Sequence, residues 1–269
     1  MPLSDGLDHE VRHSGHGTLV RRRLPGAECL SSWDEAALLR LVGRVSPLPV
    51  PDILDVRRDE DVMEMTLLPG GPLISRLAEL DHPTRDRLGA DLGAFLSALH
   101  GMPAASVSGL VPVDDTAPVD LLAEGAELFE ACATAIPEGR HGAVERFLAS
   151  PAPPPPPRRV LSHNDLGAEH VFVDEDPLVI TGVIDWSDAA LTDPALDLGL
   201  VLRDLGPGAF DRALDAYDGV PDVEELRGRA VFHARLRALE DLAYGIETDR
   251  DLYRHNALTA IATLFGDEG

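Results

Sequence analysis

Asp165, His170 and Asp185 are residue types that could do chemistry together at the spacing they have. They fall within Arg159–Asp188, which reads R-V-L-S-H-N-D-L-G-A-E-H-V-F-V-D-E-D-P-L-V-I-T-G-V-I-D-W-S-D. Asp165 and His170 share one polar cluster, and Asp185 follows a second apolar run, Val183-Ile184. Phosphoryl transfer from a nucleotide requires a carboxylate that accepts a proton from a hydroxyl, beside a second carboxylate and a further ligand that hold Mg²⁺. His163 and His170 with Asp165 also suggest a transition-metal site, for which a third strong ligand is missing. His100, His233 and His255 lie on expected helices and read as structural or surface residues.

Short buried strands must present these groups. Val160-Leu161, Val171-Phe172-Val173 and Leu178-Val179-Ile180 bracket the two polar clusters, and loop residues held by such strands are where reactive groups are usually placed. Asp193-Pro194 then opens a helix with proline in its first turn, continued by Leu196, Leu198, Leu200, Val201 and Leu202. Near the amino end, His9–Arg12 and Thr18–Arg23 flank a Gly-containing link and read as a β-hairpin. Ser32-Trp33-Asp34-Glu35 has the form of a capping box, so Glu35 either caps this helix or pairs with Arg21. Strand-like runs follow at residues 53–56 and 61–68, and Pro69-Gly70-Gly71-Pro72 breaks the chain. Residues 1–68 thus form a small, β-rich α+β unit. Residues 69–269 read as mostly helical, with helices after Asp81-His82-Pro83, over residues 120–136 and 142–149, and two more between Asp222 and Phe265. The proline run at residues 151–157 is an extended spacer.

The chain has 269 residues, 44% hydrophobic and 26% charged, an ordinary globular composition. Its 23 basic residues, all arginine, stand against 47 acidic ones, for a net charge of −24. That field repels phosphate backbones and anionic lipid, so neither nucleic acid nor membrane is an expected partner, and a cationic small molecule would be attracted. With no apolar run of membrane-spanning length and no signal-like start, a cytoplasmic protein is expected. Cys29 and Cys132 lie too far apart in sequence to suggest a thiolate metal site or a disulfide framework.

H-N-D-L-G-A-E-H-V-F-V-D, then G-V-I-D-W-S-D and D-P-A-L-D, resemble the signature of the aminoglycoside phosphotransferase family, relatives of protein kinases and choline kinases. The resemblance implies a bilobal, protein-kinase-like α+β fold with a β-rich amino-terminal lobe and a larger helical lobe. It implies ATP or GTP as co-substrate and Mg²⁺ as cofactor. Asp165 matches the catalytic base, His163 the histidine that shapes its loop, Asp185 the Mg²⁺ ligand and Asp197 an acid bracing the loop. His170 stands where most relatives have asparagine as second metal ligand; phosphotransferases acting on a 2″-hydroxyl look similar, with H-N-D in the loop and histidine here. Gly6 matches the tip of the nucleotide-covering loop, Arg21 the phosphate-binding cation and Glu35 its helix partner. Met65 and Leu67 match the hinge beside the purine. The family's first strand is expected to be missing. Asp188, Glu240 and Asp241 are candidate substrate carboxylates by position. The acceptor implied is an aminoglycoside; the alternatives are another hydroxyl compound (choline, homoserine, a macrolide) or a nucleotide-binding pseudokinase.

Overall fold

The computed structural model describes residues 2–5 (backbone only), 8–15, 17–175, 178–218 and 222–266. A five-stranded antiparallel sheet opens the chain: β1 (Pro2–Asp5), β2 (His9–Gly15), β3 (Thr18–Arg23), β4 (Ile53–Arg57) and β5 (Val62–Thr66), in the order β1-β2-β3-β5-β4. The helix α1 (Ser32–Val42) packs on β3, β4 and β5. A mostly helical region follows, so the α+β, bilobal protein-kinase-like architecture is present.

Two expectations are corrected. The first strand is not missing: Pro2–Asp5 pairs antiparallel with Glu10–Arg12 as an edge strand. The pairing uses backbone groups, and proline is tolerated at a sheet edge, so a segment without apolar alternation still forms a strand. The capping box is displaced by one residue. Ser31 is the N-cap and accepts from the Asp34 N–H, while Ser32 is buried and donates to the Asp61 carbonyl. Glu35 is thereby freed for Arg21.

The chain breaker at residues 69–72 is itself structural. Gly71–Pro72 forms β6, which pairs with β8 (Val171–Val173) and so stitches the link between the lobes to the loop region below. The helices α2 (His82–His100), α3 (Ala104–Val107), α4 (Pro118–Cys132) and α5 (Glu138–Leu148) come next. After β7 (Val160–Ser162), β8, β9 (Ile180–Val183) and β10 (Ala190–Thr192), the helices α6 (Ala195–Asp215), α7 (Val223–Glu247) and α8 (Asp251–Leu264) complete the fold. Among the described residues no helix is long and apolar enough to cross a membrane.

The helix α6 is the spine of the larger lobe, packed against α2 on one side and α7 on the other. Gly89 and Gly93, one turn apart on α2, set the first contact. A Cβ at either would overlap the backbone of Ala209 or Ala213 on α6. Just before these contacts on α6, Gly206 (φ 83°) and Pro207 kink the helix, and the freed carbonyls of Asp204 and Leu205 accept from Arg85 Nη1 at 3.2 and 3.3 Å.

Alanine favours a helix over glycine by about 1 kcal/mol, yet overpacking against a fixed backbone costs more. Gly93→Ala is therefore expected to destabilise by about 2 kcal/mol, read as a lower urea midpoint with unchanged slope; a rise in the midpoint would show that the helices can separate freely.

Candidate active site

The loop between β7 and β8 carries Asp165, and its shape is imposed from below. Asp197, on the first turn of α6, is fully buried, and its oxygens accept from His163 N–H and Asn164 N–H at 2.9 Å each. His100 Nε2 lies 3.1 Å from the same carboxylate. Burial works against this charge, but the His100 hydrogen bond and the donation from the His163 backbone hold the carboxyl low. Asn164 adopts φ 71°, an uncommon left-handed conformation, and its Nδ2 donates to the Asp188 carbonyl at 3.1 Å. Such a conformation persists only where surrounding bonds fix it.

His163 does not face solvent. It lies fully buried against the Trp186 ring, with Nε2 3.0 Å from the Ile184 carbonyl, so Nε2 carries the proton. Burial depresses its pKa and keeps it neutral. Its contribution is to link the loop to the segment that delivers Asp185.

His170 sits between the two acids. Its Nδ1–H donates to the Asp165 carbonyl at 2.8 Å, and the same nitrogen is 3.4 Å from Asp165 Oδ2. Nε2 therefore points at Asp185 Oδ2, 3.8 Å away. Burial opposes its charge, but Asp165, Asp185 and Glu169 together raise its pKa. Asp165, Glu169 and His170 each present a ligand atom within 4.8 Å of the others. Glu169 is the ligand-type neighbour that sequence reasoning missed, although it adjoins His170 in the chain.

Asp185, at φ 62°, uses Oδ1 to accept from Arg21 Nη2 and, at 3.0 Å, from Ser187 Oγ. Despite burial, Arg21 and then His170 hold its carboxyl far below the usual range. Two of the three donors in the cluster of Asp165, Glu169 and His170 are carboxylates, the ligand type that Mg²⁺ favours, and Asp185 is not part of it, reaching the cluster only through His170 Nε2.

Arg21 is a buried hub that spans both lobes. Nη1 meets Glu35 Oε1 at 2.5 Å; Nη2 reaches Asp185, Ser187 Oγ (3.3 Å) and His9 Nδ1 (2.9 Å). Burial pushes the Glu35 carboxyl up to about 7, against the pull of Arg21. A guanidinium can only donate, so His9 must accept at Nδ1 and keep its proton on Nε2. Burial, then Arg21, lowers its pKa to about 4. His9 is a second residue that the sequence reading passed over, because its partner is set by strand register.

A cleft of about 1080 Å³ runs between the lobes and is lined by Arg21, Leu67, Asp165, His170, Asp185 and Asp188, and on its far wall by Glu240 and Asp241 of α7. Glu169, Arg203, Tyr244 and Tyr253 also line it. Met65 lies in the small-lobe core beside Ala36 and Met63, away from the cleft, and the Leu67 N–H is taken by the Gly17 carbonyl at 2.8 Å. Gly6 lies outside the described residues. Burial and the charges of Asp165 and Asp185 raise the Asp188 carboxyl, and burial pushes Asp241 up to about 8 against the pull of Arg203.

With this geometry in place, residues 1–230 match the phosphotransferase enzyme family, and the chain belongs to it. The fold is similar to that of APH(2")-IIia in its GDP and kanamycin complex, with TM-score 0.69 and 18% identity over 100% of this chain and 93% of that one. It is similar also to the apoenzyme of macrolide 2'-phosphotransferase MphH from Brachybacterium faecium, with TM-score 0.60 and 22% identity over 97% and 91%. The uncharacterized protein YcbJ of Bacillus subtilis (strain 168) is 38% identical over 58 residues, which span 22% of this chain and 19% of YcbJ.

The His9 geometry gives a pH dependence. A folded-state pKa of about 4, below the ordinary 6.5, means that His9 contributes stability above pH 6.5 that is lost as pH falls through 4. Wild type should lose about 2 kcal/mol more than His9→Gln between those limits, measured by urea unfolding at each pH; parallel curves would show that His9 is free to protonate.

Proposed function

We propose that this protein transfers the γ-phosphate of ATP or GTP to a hydroxyl of a small cationic molecule, an aminoglycoside being the acceptor that the cleft suits best. The observation that carries the reading is the placement of Asp165 and Asp185 on opposite sides of His170, at the floor of a cleft that Arg21 also lines and whose lining carries more carboxylates than arginines.

In this reading residues 1–68 form the nucleotide lobe and residues 69–269 the acceptor lobe. Asp165, partly exposed at 39%, orients an acceptor hydroxyl and takes its proton. Arg21 stands beside the phosphate position, and a donor now given to Asp185, Ser187 or His9 turns to phosphate when nucleotide binds, while Glu35 keeps the planar fork in one orientation. Asp185 and His170 hold Mg²⁺, which supplies charge neutralisation on the phosphates when bound. On the acceptor side, the cleft lining holds Asp188, Glu169, Glu240, Asp241 and Glu247 with Arg203, Arg237 and Arg250, and an amine would take the carboxylate positions that Arg203 and Arg237 leave unpaired. That GDP with kanamycin, and ATP with streptomycin, occupy proteins of this fold supports a nucleotide and a cationic acceptor.

Asp165→Asn keeps the loop's shape and removes the base. Nucleotide affinity, read by calorimetry with Mg²⁺, should stay within about twofold, while phosphate transfer from labelled ATP or GTP to kanamycin should fall by about 10²–10⁴-fold. Transfer at the wild-type rate in this variant would refute the assignment of the base.

A further inference from the structure

Asp197 and Asp204 lie seven residues apart on α6, two turns along one helix face. The first holds the loop at residues 163 and 164. The second accepts from the backbone N–H of Ala168 at 2.7 Å, three residues beyond Asp165. The Ala168 carbonyl in turn accepts from the Ile74 N–H at 2.9 Å, so this part of the loop is pinned on both sides.

Asp204 is itself held by its neighbour. Arg203, buried, donates from Nε to Asp204 Oδ1 at 2.6 Å and from Nη2 to Oδ2 at 3.0 Å. The remaining nitrogen, Nη1, is 2.9 Å from Asp241 of α7, and Glu169 Oε2 is 3.8 Å from Nη2. Gly167 leaves the room for this: a Cβ there would run into the Glu169 carboxylate and Arg203 Nη2. A single guanidinium thus joins the loop that carries Asp165 to a carboxylate on the far wall of the cleft. Only a planar fork can bond Asp204 with two nitrogens and still present a third to Asp241; an ammonium cannot do both in register.

We propose that Arg203 and Asp204 form a second brace of the catalytic loop, with Arg203 a positioning residue that sets Asp165 through Asp204 and Ala168 and sets the acceptor wall through Asp241. The two functions of the cleft, transfer and acceptor recognition, are mechanically coupled through this pair. The inference rests on the reading of the cleft given above. It differs in its consequence from a purely structural ion pair, because loosening it should alter the transfer rate and acceptor recognition while leaving the nucleotide side alone.

The test uses the full chain with Mg²⁺, the preferred nucleotide and kanamycin. Arg203→Lys, which keeps the charge and loses the fork, should lower kcat by about tenfold and raise the kanamycin KM by about fivefold, with the nucleotide KM within about twofold. Asp204→Ala should lower kcat at least as far, and Asp204→Asn, whose single carbonyl oxygen can still accept from Ala168 but whose NH₂ cannot accept from Arg203, should recover part of it and no more than Arg203→Lys retains. Arg212→Met, at the exposed pair with Asp215 on the same helix, is the control expected to match wild type. Hydrogen exchange at the Ala168 amide, which needs no acceptor, should quicken by about tenfold in Asp204→Ala and in Arg203→Lys. If Asp204→Ala does not fold, Arg203→Lys and Asp204→Asn decide the matter by the same measurements. Values of kcat, kanamycin KM and Ala168 exchange all within twofold of wild type in Arg203→Lys would overturn the brace. Should the wild type transfer nothing to kanamycin, the acceptor reading fails, and Ala168 exchange alone then judges the brace: unchanged protection in the variants overturns it, faster exchange upholds the loop half of it.

Discussion

A buried carboxylate at the start of one helix governs the rest of this site. Asp197 has no solvent to solvate its charge, so it must be satisfied by donors, and the donors within reach are two consecutive backbone N–H groups of the loop together with His100. Because an unsatisfied buried charge costs several kcal/mol, the loop has little freedom to leave. Asn164 is held in a left-handed turn, and Asp165, the next residue, is aimed into the cleft. The whole larger lobe serves this contact: α2 and α7 clamp α6, and the kink at Gly206-Pro207 lets the helix change course once it has passed the loop.

The second constraint acts from above. Arg21 ties β3 to α1 through Glu35 and to the lower lobe through Asp185 and Ser187, so the sheet and the loop region share one buried cation. An arginine in this place has more donors than a lysine would, and His9 accepts the surplus one. The lysine-free composition is therefore accommodated by a specific neighbour, one strand register away.

Much of this was legible in the sequence, and the reason is locality. Asp165, His170 and Asp185 announce themselves because short apolar runs flank them in the chain, and the helix after Asp193-Pro194 begins close to where it was expected. The edge strand Pro2–Asp5 escaped because it is stabilised by backbone pairing rather than by side-chain pattern. Ser31 rather than Ser32 caps α1, since the buried Ser32 hydroxyl has a partner far off in sequence at Asp61. Met65 turned inward because β5 lies between β3 and β4, which fixes its face. Arg203, Glu169 and Asp241 were unreadable as a group, because only the packing of α6 against α7 brings them together; the seven-residue step from Asp197 to Asp204 was the one signal in the sequence that pointed there.

The central claim is that the cleft joins a nucleotide's γ-phosphate to an acceptor hydroxyl. Phosphorus-31 NMR of the protein with Mg²⁺, ATP or GTP, and kanamycin tests it most directly. A new phosphate-monoester resonance should grow as the nucleoside diphosphate appears; nucleotide that binds yet remains intact, or yields only inorganic phosphate, would contradict transfer to the acceptor.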